Sequence, residues 1–338
     1  MIIYLLNRLR IVLKSIGKRE EKLNDLITYF KFKKNSHRFH KITKRNIFKI
    51  DYDKTKKLSL NIAITITFFY DEKKIRYLKE VCKNLYSISN NCNIFVITNS
   101  ISDKQKKILL NKIKNKNTKL KIHIHIIKNL INNRLLPWCH IPLMKNLYKN
   151  KKYSHFLYLE DDISLSKDNI LYWLDARKFL KKINLIPGFI RTEEDKKTKD
   201  IYTVDFTSTN KSKFLPKIKI DEDLCFINYK FPYQGMYFYD RELMKEHLNG
   251  VSSNPDFGHG AFNINYLNSK MINFDLMAKA SVGLIYKDVP KEFLNRLMIP
   301  FDLKNKKILN NCLIKHLSNK YTKKNSYYGS IKIEKAIN

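Results

Sequence analysis

One alternation governs what this chain can become. Residues 58–71, LSLNIAITITFFYD, are β-branched and aromatic with charge at both ends, the mark of a buried strand. EKKIRYLKEVCKNLYSI follows, with Ile75, Leu78, Val81, Cys82 and Leu85 at helical spacing. NCNIFVITN reads as a second strand, SDKQKKILLNKIKN as a second helix with Ser102 as its N-cap, and KLKIHIHIIK as a third strand. Strands separated by helices of this length join in parallel, and a parallel sheet needs cover on both faces. The predicted class is therefore α/β, with a mostly parallel central sheet and helices on both sides.

The pattern continues through a loop-like piece, NLINNRLLPWCHIPL, and a helix to Leu147. A fourth strand, HFLYLEDDI, spans 155–163, and a helix covers 168–182. Beyond Pro187 come shorter strands (GFIRTE, YTVDFTST, DLCFINY, QGMYFYD), a helix from about Arg241, and NPDFGHGAFNINYL as a loop entering a helix. The expected organisation is a main domain over 58–300, with a nucleotide-type half at 58–185 and a smaller mixed half at 186–300. Residues 1–57 form a basic extension and 301–338 a basic, polar tail. In the extension, Ile2, Ile3, Leu5, Leu6, Leu9, Val12, Leu13 and Ile16 recur at helical spacing among Arg8, Arg10, Lys14, Lys18 and Arg19. Such a helix lies on an anionic membrane surface or packs on the protein's own core.

Charge narrows the partners. Lys and Arg number 66 against 31 Asp and Glu, a net charge of +35. A polyanionic partner and a plain compositional bias toward Lys, Asn and Ile both account for it. The excess is dispersed, and no helix-turn-helix, zinc or RNP signature accompanies it, so nucleic acid is not the expected partner. The field still favours nucleotide diphosphates and anionic lipids. Five cysteines lie far apart without a CxxC, which disfavours a zinc ribbon or a disulfide framework and suits a reducing, cytoplasmic setting. No apolar run reaches the roughly 18–20 residues that span a bilayer. The N-terminus, interrupted by Arg8 and Arg10 and without a small-residue cleavage site, does not read as a signal peptide.

The chemistry concentrates at Glu160-Asp161-Asp162. Phe156, Leu157, Tyr158 and Leu159 lead into it as a strand buried on both faces. Unpaired carboxylates are not tolerated inside such a sheet, so they are expected at its C-terminal edge, where open α/β sheets bind ligands. Strand alternation sets Glu160 and Asp162 on one side and Asp161 on the other. Two converging carboxylates suit a hard divalent cation whose shell is completed by phosphate oxygens. An acidic loop or a cap for the next helix is the plainer alternative.

HFLYLEDDISLSKDNILYWL resembles the metal-binding segment of nucleotide-sugar glycosyltransferases with the GT-A fold. Its EDD form of the DxD-type motif is similar to that of N-acetylglucosaminyltransferase I-type and exostosin-type enzymes. The resemblance follows element order over 59–290 and is specific over 154–175. It implies a Rossmann-like sheet, Mn2+ or Mg2+, a UDP- or GDP-sugar donor and a glycan or lipid-linked acceptor. The implied setting is surface-glycan or lipopolysaccharide synthesis at the inner membrane face. It puts the metal on Asp162 and ribose or metal-bound water on Glu160 and Asp161. The first position here is Glu rather than Asp.

Around that motif, Phe69, Tyr70 and Asp71 end the first strand and are placed to stack on a base. Arg134 is a candidate for a donor phosphate through its planar fork. Arg191 and Glu193 share one side of a strand and are candidates for acceptor contact, or a surface ion pair. Asp256 is the candidate general base if the reaction inverts, with Asp240 and Glu242 behind it. His259, between Gly258 and Gly260, is a candidate metal ligand or diphosphate contact. His123 and His125 read as solvent-side strand residues. Trp138 and His140 line a sugar pocket or simply pack. A nucleotidyltransferase using paired carboxylates and Mg2+ is the alternative enzyme, although TFFYDEKK lacks the expected glycine-rich loop. A basic nucleic-acid-binding protein and a non-catalytic α/β scaffold are further alternatives.

Overall fold

The computed structural model of the protein describes residues 2–15, 23, 26–27, 30, 58–114, 121–206, 208–254, 275–322 and 328–338. Helix α1 (Ile2–Ser15) opens the chain. Strands β1 (Leu58–Phe68), β2 (Ser89–Asn99), β3 (Lys121–Ile127) and β4 (His155–Glu160) then pair in parallel in the order β4-β1-β2-β3. Helices α2 (Ile75–Ile88), α3 (Asp103–Ile113) and α4 (His140–Lys149) connect them. Residues Ile62–Phe68 of β1 are buried without a break, as a central parallel strand requires. Ser102 caps α3 in a reciprocal capping box with Gln105.

The path reverses after β3. β1, β2 and β3 step outward one way, with α2 and α3 packed together on one face. The chain then returns to lay β4 on the far side of β1. Right-handed crossovers in opposite directions put their helices on opposite faces, and α4 accordingly packs over β1 from the other side.

The second half is built from shorter pieces. They are β5 (Ile163–Ser164), α5 (Lys167–Leu180), β6 (Ile186–Pro187), β7 (Ile190–Glu194), β8 (Ile201–Thr203), β9 (Lys217–Lys219), β10 (Leu224–Ile227), β11 (Met236–Asp240) and α6 (Arg241–Leu248). After them come α7 (Leu276–Val282), β12 (Leu297–Asp302), β13 (Lys307–Ile308), β14 (Leu313–His316), β15 (Ile331–Lys332) and α8 (Ile333–Ala336). β11 closes the central sheet antiparallel to β4. A second sheet runs β13-β12-β10-β9, with β6 beside β12, and a third runs β15-β8-β7-β14-β5.

Residues 301–338, expected as a polar tail, differ from that expectation. They complete β12 and supply β13, β14, β15 and α8. The reason lies in Leu313-Ile314-Lys315-His316, whose alternate residues Ile314 and His316 turn inward while β14 pairs with both β7 and β5. All five cysteines are free. Among the described residues, no helix is long and apolar enough to cross a membrane.

Candidate active site

The reversal between β1 and β4 creates a topological switch point, and the crevice beyond the carboxyl ends of those strands is where α/β sheets bind ligands. Thr67 and Glu160 are register partners, so the segments after Phe68 and after Glu160 leave the sheet side by side. Phe69 is 41% exposed there. The Tyr70 N–H donates to Asn99 Oδ1 at the end of β2 (2.7 Å). Asp71 accepts the Lys73 N–H (2.9 Å) and caps the short turn Glu72–Lys74.

The three acidic side chains take different surroundings. Glu160 Oε1 accepts from the Tyr233 hydroxyl at 2.5 Å and lies 3.3 Å from Ser281 Oγ. Its Oε2 lies 3.8 Å from the Arg191 guanidinium. Arg191 is held by both oxygens of Asp205 (2.9 and 2.5 Å) and stacks over the Tyr233 ring at 4.4 Å. Gly235 sits against Glu160 with φ +62°, and its carbonyl accepts the Glu160 N–H at 3.0 Å.

Asp162 faces the C-terminal segment instead. Its Oδ2 is 3.2 Å from His316 Nε2, and its carbonyl accepts the Leu317 N–H at 2.8 Å. His316 Nδ1 lies 2.6 Å from Glu193 Oε1. Burial pushes the Asp162 carboxyl up, but the hydrogen bond and charge of His316, with Lys320 beyond, hold it well below the usual range. Burial disfavours the His316 cation, yet its bonds to Asp162 and Glu193 raise its pKa above the ordinary value. Asp161 has neither partner. Burial, then the neighbouring Asp162, push its carboxyl up to about 7, against the opposing charge of Lys74.

Among the described residues, no three His, Cys, Asp or Glu side chains surround one metal position. The strand ends at Glu160 and the next two residues lie in a turn, so strand alternation is not what orients Glu160 against Asp162; their carboxylates take separate partners. The donor set still fits a hard cation of the Mg2+ kind, which is held through one or two carboxylates with waters and substrate phosphates filling the rest. Asp161, pushed up by burial and then by Asp162, is a position where an added positive charge favours the ionised form.

The other expected residues are dispersed in role. Arg191 (5% exposed) and Glu193 (1% exposed) do adjoin the acidic segment, but neither is a surface residue. Arg134 is exposed at the start of the turn that follows β3. Trp138 and His140 pack: the indole donates to the Leu276 carbonyl (2.8 Å), and the imidazole bonds Tyr237 (2.7 Å). Asp240 caps α6 and pairs with Arg177 at 2.8 Å, and Glu242 pairs with Lys181. Asp256 and His259 lie outside the described residues. Sequence reading missed Tyr233, Ser281, Asp205, Lys320 and His316. Only His316 carried a signal, as a polar residue at an inward position of an alternating strand.

No protein-family model matches the sequence, and no curated protein matches it. Among solved structures, the chain is similar to a mannosyltransferase from Pyrobaculum calidifontis in complex with GDP-Man and Mn2+. The TM-score is 0.34 and the identity 8%, over 75% of this chain and 64% of that one, which is less than two thirds of its length. A superposition that loose identifies neither fold family nor activity.

Proposed function

We propose that this chain is a GT-A-type glycosyltransferase, moving a sugar from a UDP- or GDP-linked donor to a hydroxyl of a glycan or lipid-linked acceptor. One observation carries the reading: Glu160 ends β4 and Asp161–Asp162 follow it, at the switch point beside β1. Mn2+ or Mg2+ held there would supply positive charge opposite a departing diphosphate. Asp162 is the residue that would hold it, with its carboxylate oriented by the hydrogen bond to His316 Nε2. Phe69 and Tyr70 form the platform for the base, Asp161 faces ribose or bound water, and Arg134 takes a donor phosphate. Glu160 shapes the floor through Tyr233, Ser281 and Arg191. Asp256 serves as base in an inverting displacement and His259 as a further diphosphate or metal contact. The helix α1 holds the enzyme on an anionic membrane face.

The test uses the full chain with a panel of nucleotide sugars and Mn2+. Slow donor hydrolysis and metal-dependent thermal stabilisation by UDP or GDP are expected, about 2.7 kcal/mol at a hundredfold excess over Kd. Asp162→Asn loses both. The reading fails if no donor is turned over or bound, or if the variant equals wild type. Release of pyrophosphate from a nucleoside triphosphate and a sugar phosphate would identify a nucleotidyltransferase instead.

A further inference from the structure

A polar cavity opens at the end of the central sheet opposite Glu160. Asn61 of β1 is the register partner of Asn91 on β2, Asn93 is that of Lys121 on β3, and Phe95 is that of His123. In-register neighbours of a sheet turn to the same face. Thr65 pairs with both Phe95 and Tyr158, and His140 of α4 stacks on Tyr158, so this is the face that α4 covers over β1 and β4. Toward the amino ends of the strands it changes from apolar to polar side chains. With Lys152 and Tyr153, which precede β4, these residues enclose about 440 Å3, a volume within the range of small-molecule sites. A fully covered parallel sheet carries aliphatic side chains on both faces, and this corner does not.

We infer that this cavity binds a hydroxylated small molecule bearing a phosphate or carboxylate group, of sugar-phosphate size. Among the described residues its lining includes no carboxylate, so Lys121 and Lys152 bring two positive charges that no acid there neutralises. They suit the anionic group. Carboxamides donate and accept at once, as hydroxyls do, so Asn61, Asn91 and Asn93 suit the rest of the molecule. Tyr153 is 3% exposed and fixed in place: Asn93 Nδ2 donates to its hydroxyl at 2.9 Å, and Lys152 Nζ rests over its ring at 4.8 Å. Its oxygen accepts from Asn93 and keeps its own proton to give. A dispersed lysine surface attracts any anion alike, whereas three amides and an anchored phenol on one face favour an anion that also carries hydroxyls. The site does not depend on the glycosyltransferase reading, whose ligands lie beyond the carboxyl ends of the same strands.

The experiment is calorimetric titration of the full chain with glucose 6-phosphate, glucuronate, inorganic phosphate and glucose, at constant ionic strength and without divalent metal. Glucose 6-phosphate or glucuronate should bind saturably, and more tightly than phosphate or glucose; which of the two binds identifies the anionic group. Lys121→Gln with Lys152→Gln should weaken that binding about tenfold or more, the worth of at least one charged hydrogen bond. Lys112→Gln with Lys245→Gln removes the same charge from exposed positions on α3 and α6 and should leave the affinity as it was. UDP or GDP with Mn2+ should not displace the bound sugar anion. The inference is overturned if neither anionic sugar binds saturably, if phosphate binds as tightly as both, or if the two lysine pairs weaken binding equally. Displacement by UDP or GDP would put the anion in the crevice and overturn it as well. Failure of the nucleotides to bind at all counts against the glycosyltransferase reading and leaves the other results to decide this site.

Discussion

At the scale of single residues, the floor of the crevice depends on groups that leave no room for substitution. A Cβ on Gly235 would stand 3.0 Å from Glu160 Oε2 on a backbone with φ +62°. Gly235→Ala is therefore expected to cost about 1–2 kcal/mol from the left-handed backbone alone, with more from the displaced carboxylate, measured by urea unfolding. Arg191 is a stronger case, since its fork meets Asp205 bidentately while its plane stacks on Tyr233. Arg191→Met should cost about 2–3 kcal/mol, because it leaves the half-buried Asp205 charge without its bidentate partner. Arg191→Met with Asp205→Leu should recover much of that loss. A double variant no more stable than the single one would show that the pair is not the cause. These residues also mark the limit of what the sequence disclosed. Glu160–Asp162 was legible because three acids end an apolar run, whereas Tyr233 and Ser281 reach Glu160 from 73 and 121 residues away. No local pattern encodes such a meeting.

At the scale of elements, the same distinction separates the two halves of the fold. β1 to β4 and their helices were legible because long apolar periods announce both type and direction. The later strands run from two to six residues, too short for a period, and their pairing is decided by distant partners such as Ile163 with His316. The helices on one face of the central sheet raise a separate consequence. α4 begins with His140, whose Nδ1 bonds the Pro137 carbonyl and whose ring stacks on Tyr158 at 3.9 Å. α6 carries His247, bonded to Ser252 Oγ at 2.8 Å. Burial pushes both imidazoles down to about 3, with His140 and Lys287 adding to the effect on His247. Both are neutral in the fold while the unfolded chain protonates them below about pH 6.5. The unfolded state then binds more protons, so stability is complete above that pH and falls as pH drops toward 3, by up to about 1.4 kcal/mol per pH unit for each ring. His247→Phe should flatten the slope between pH 5 and 6.5 by one such share in urea titrations. Equal slopes in variant and wild type would remove His247 as a source.

At the scale of the whole molecule, the question is what the +35 charge and the opening helix do together. Ile2 (52%), Tyr4 (60%), Leu5 (56%), Leu9 (49%) and Ile11 (63%) of α1 are exposed, a density of large apolar groups found nowhere else on the described surface. Arg8 and Arg10 lie among them, and the segment holds no acid. The fourteen described residues of α1 extend about 21 Å, and among the described residues no helix is long and apolar enough to cross a membrane, so the contact to test is one along a bilayer surface. Apolar insertion and attraction to anionic headgroups then act in sequence, and they separate experimentally. The charge term is screened over about 10 Å at 0.1 M salt, while insertion is not. The full chain should sediment with vesicles containing phosphatidylglycerol, lose much of that binding at 0.5 M salt, and bind neutral phosphatidylcholine weakly. Removing residues 2–15 should abolish sedimentation and leave donor-nucleotide stabilisation intact, because none of the crevice contacts among the described residues comes from α1. Unchanged sedimentation after the deletion would move the membrane contact from α1 to the dispersed lysines of the main domain. Loss of nucleotide stabilisation would instead make α1 part of the fold that supports the crevice.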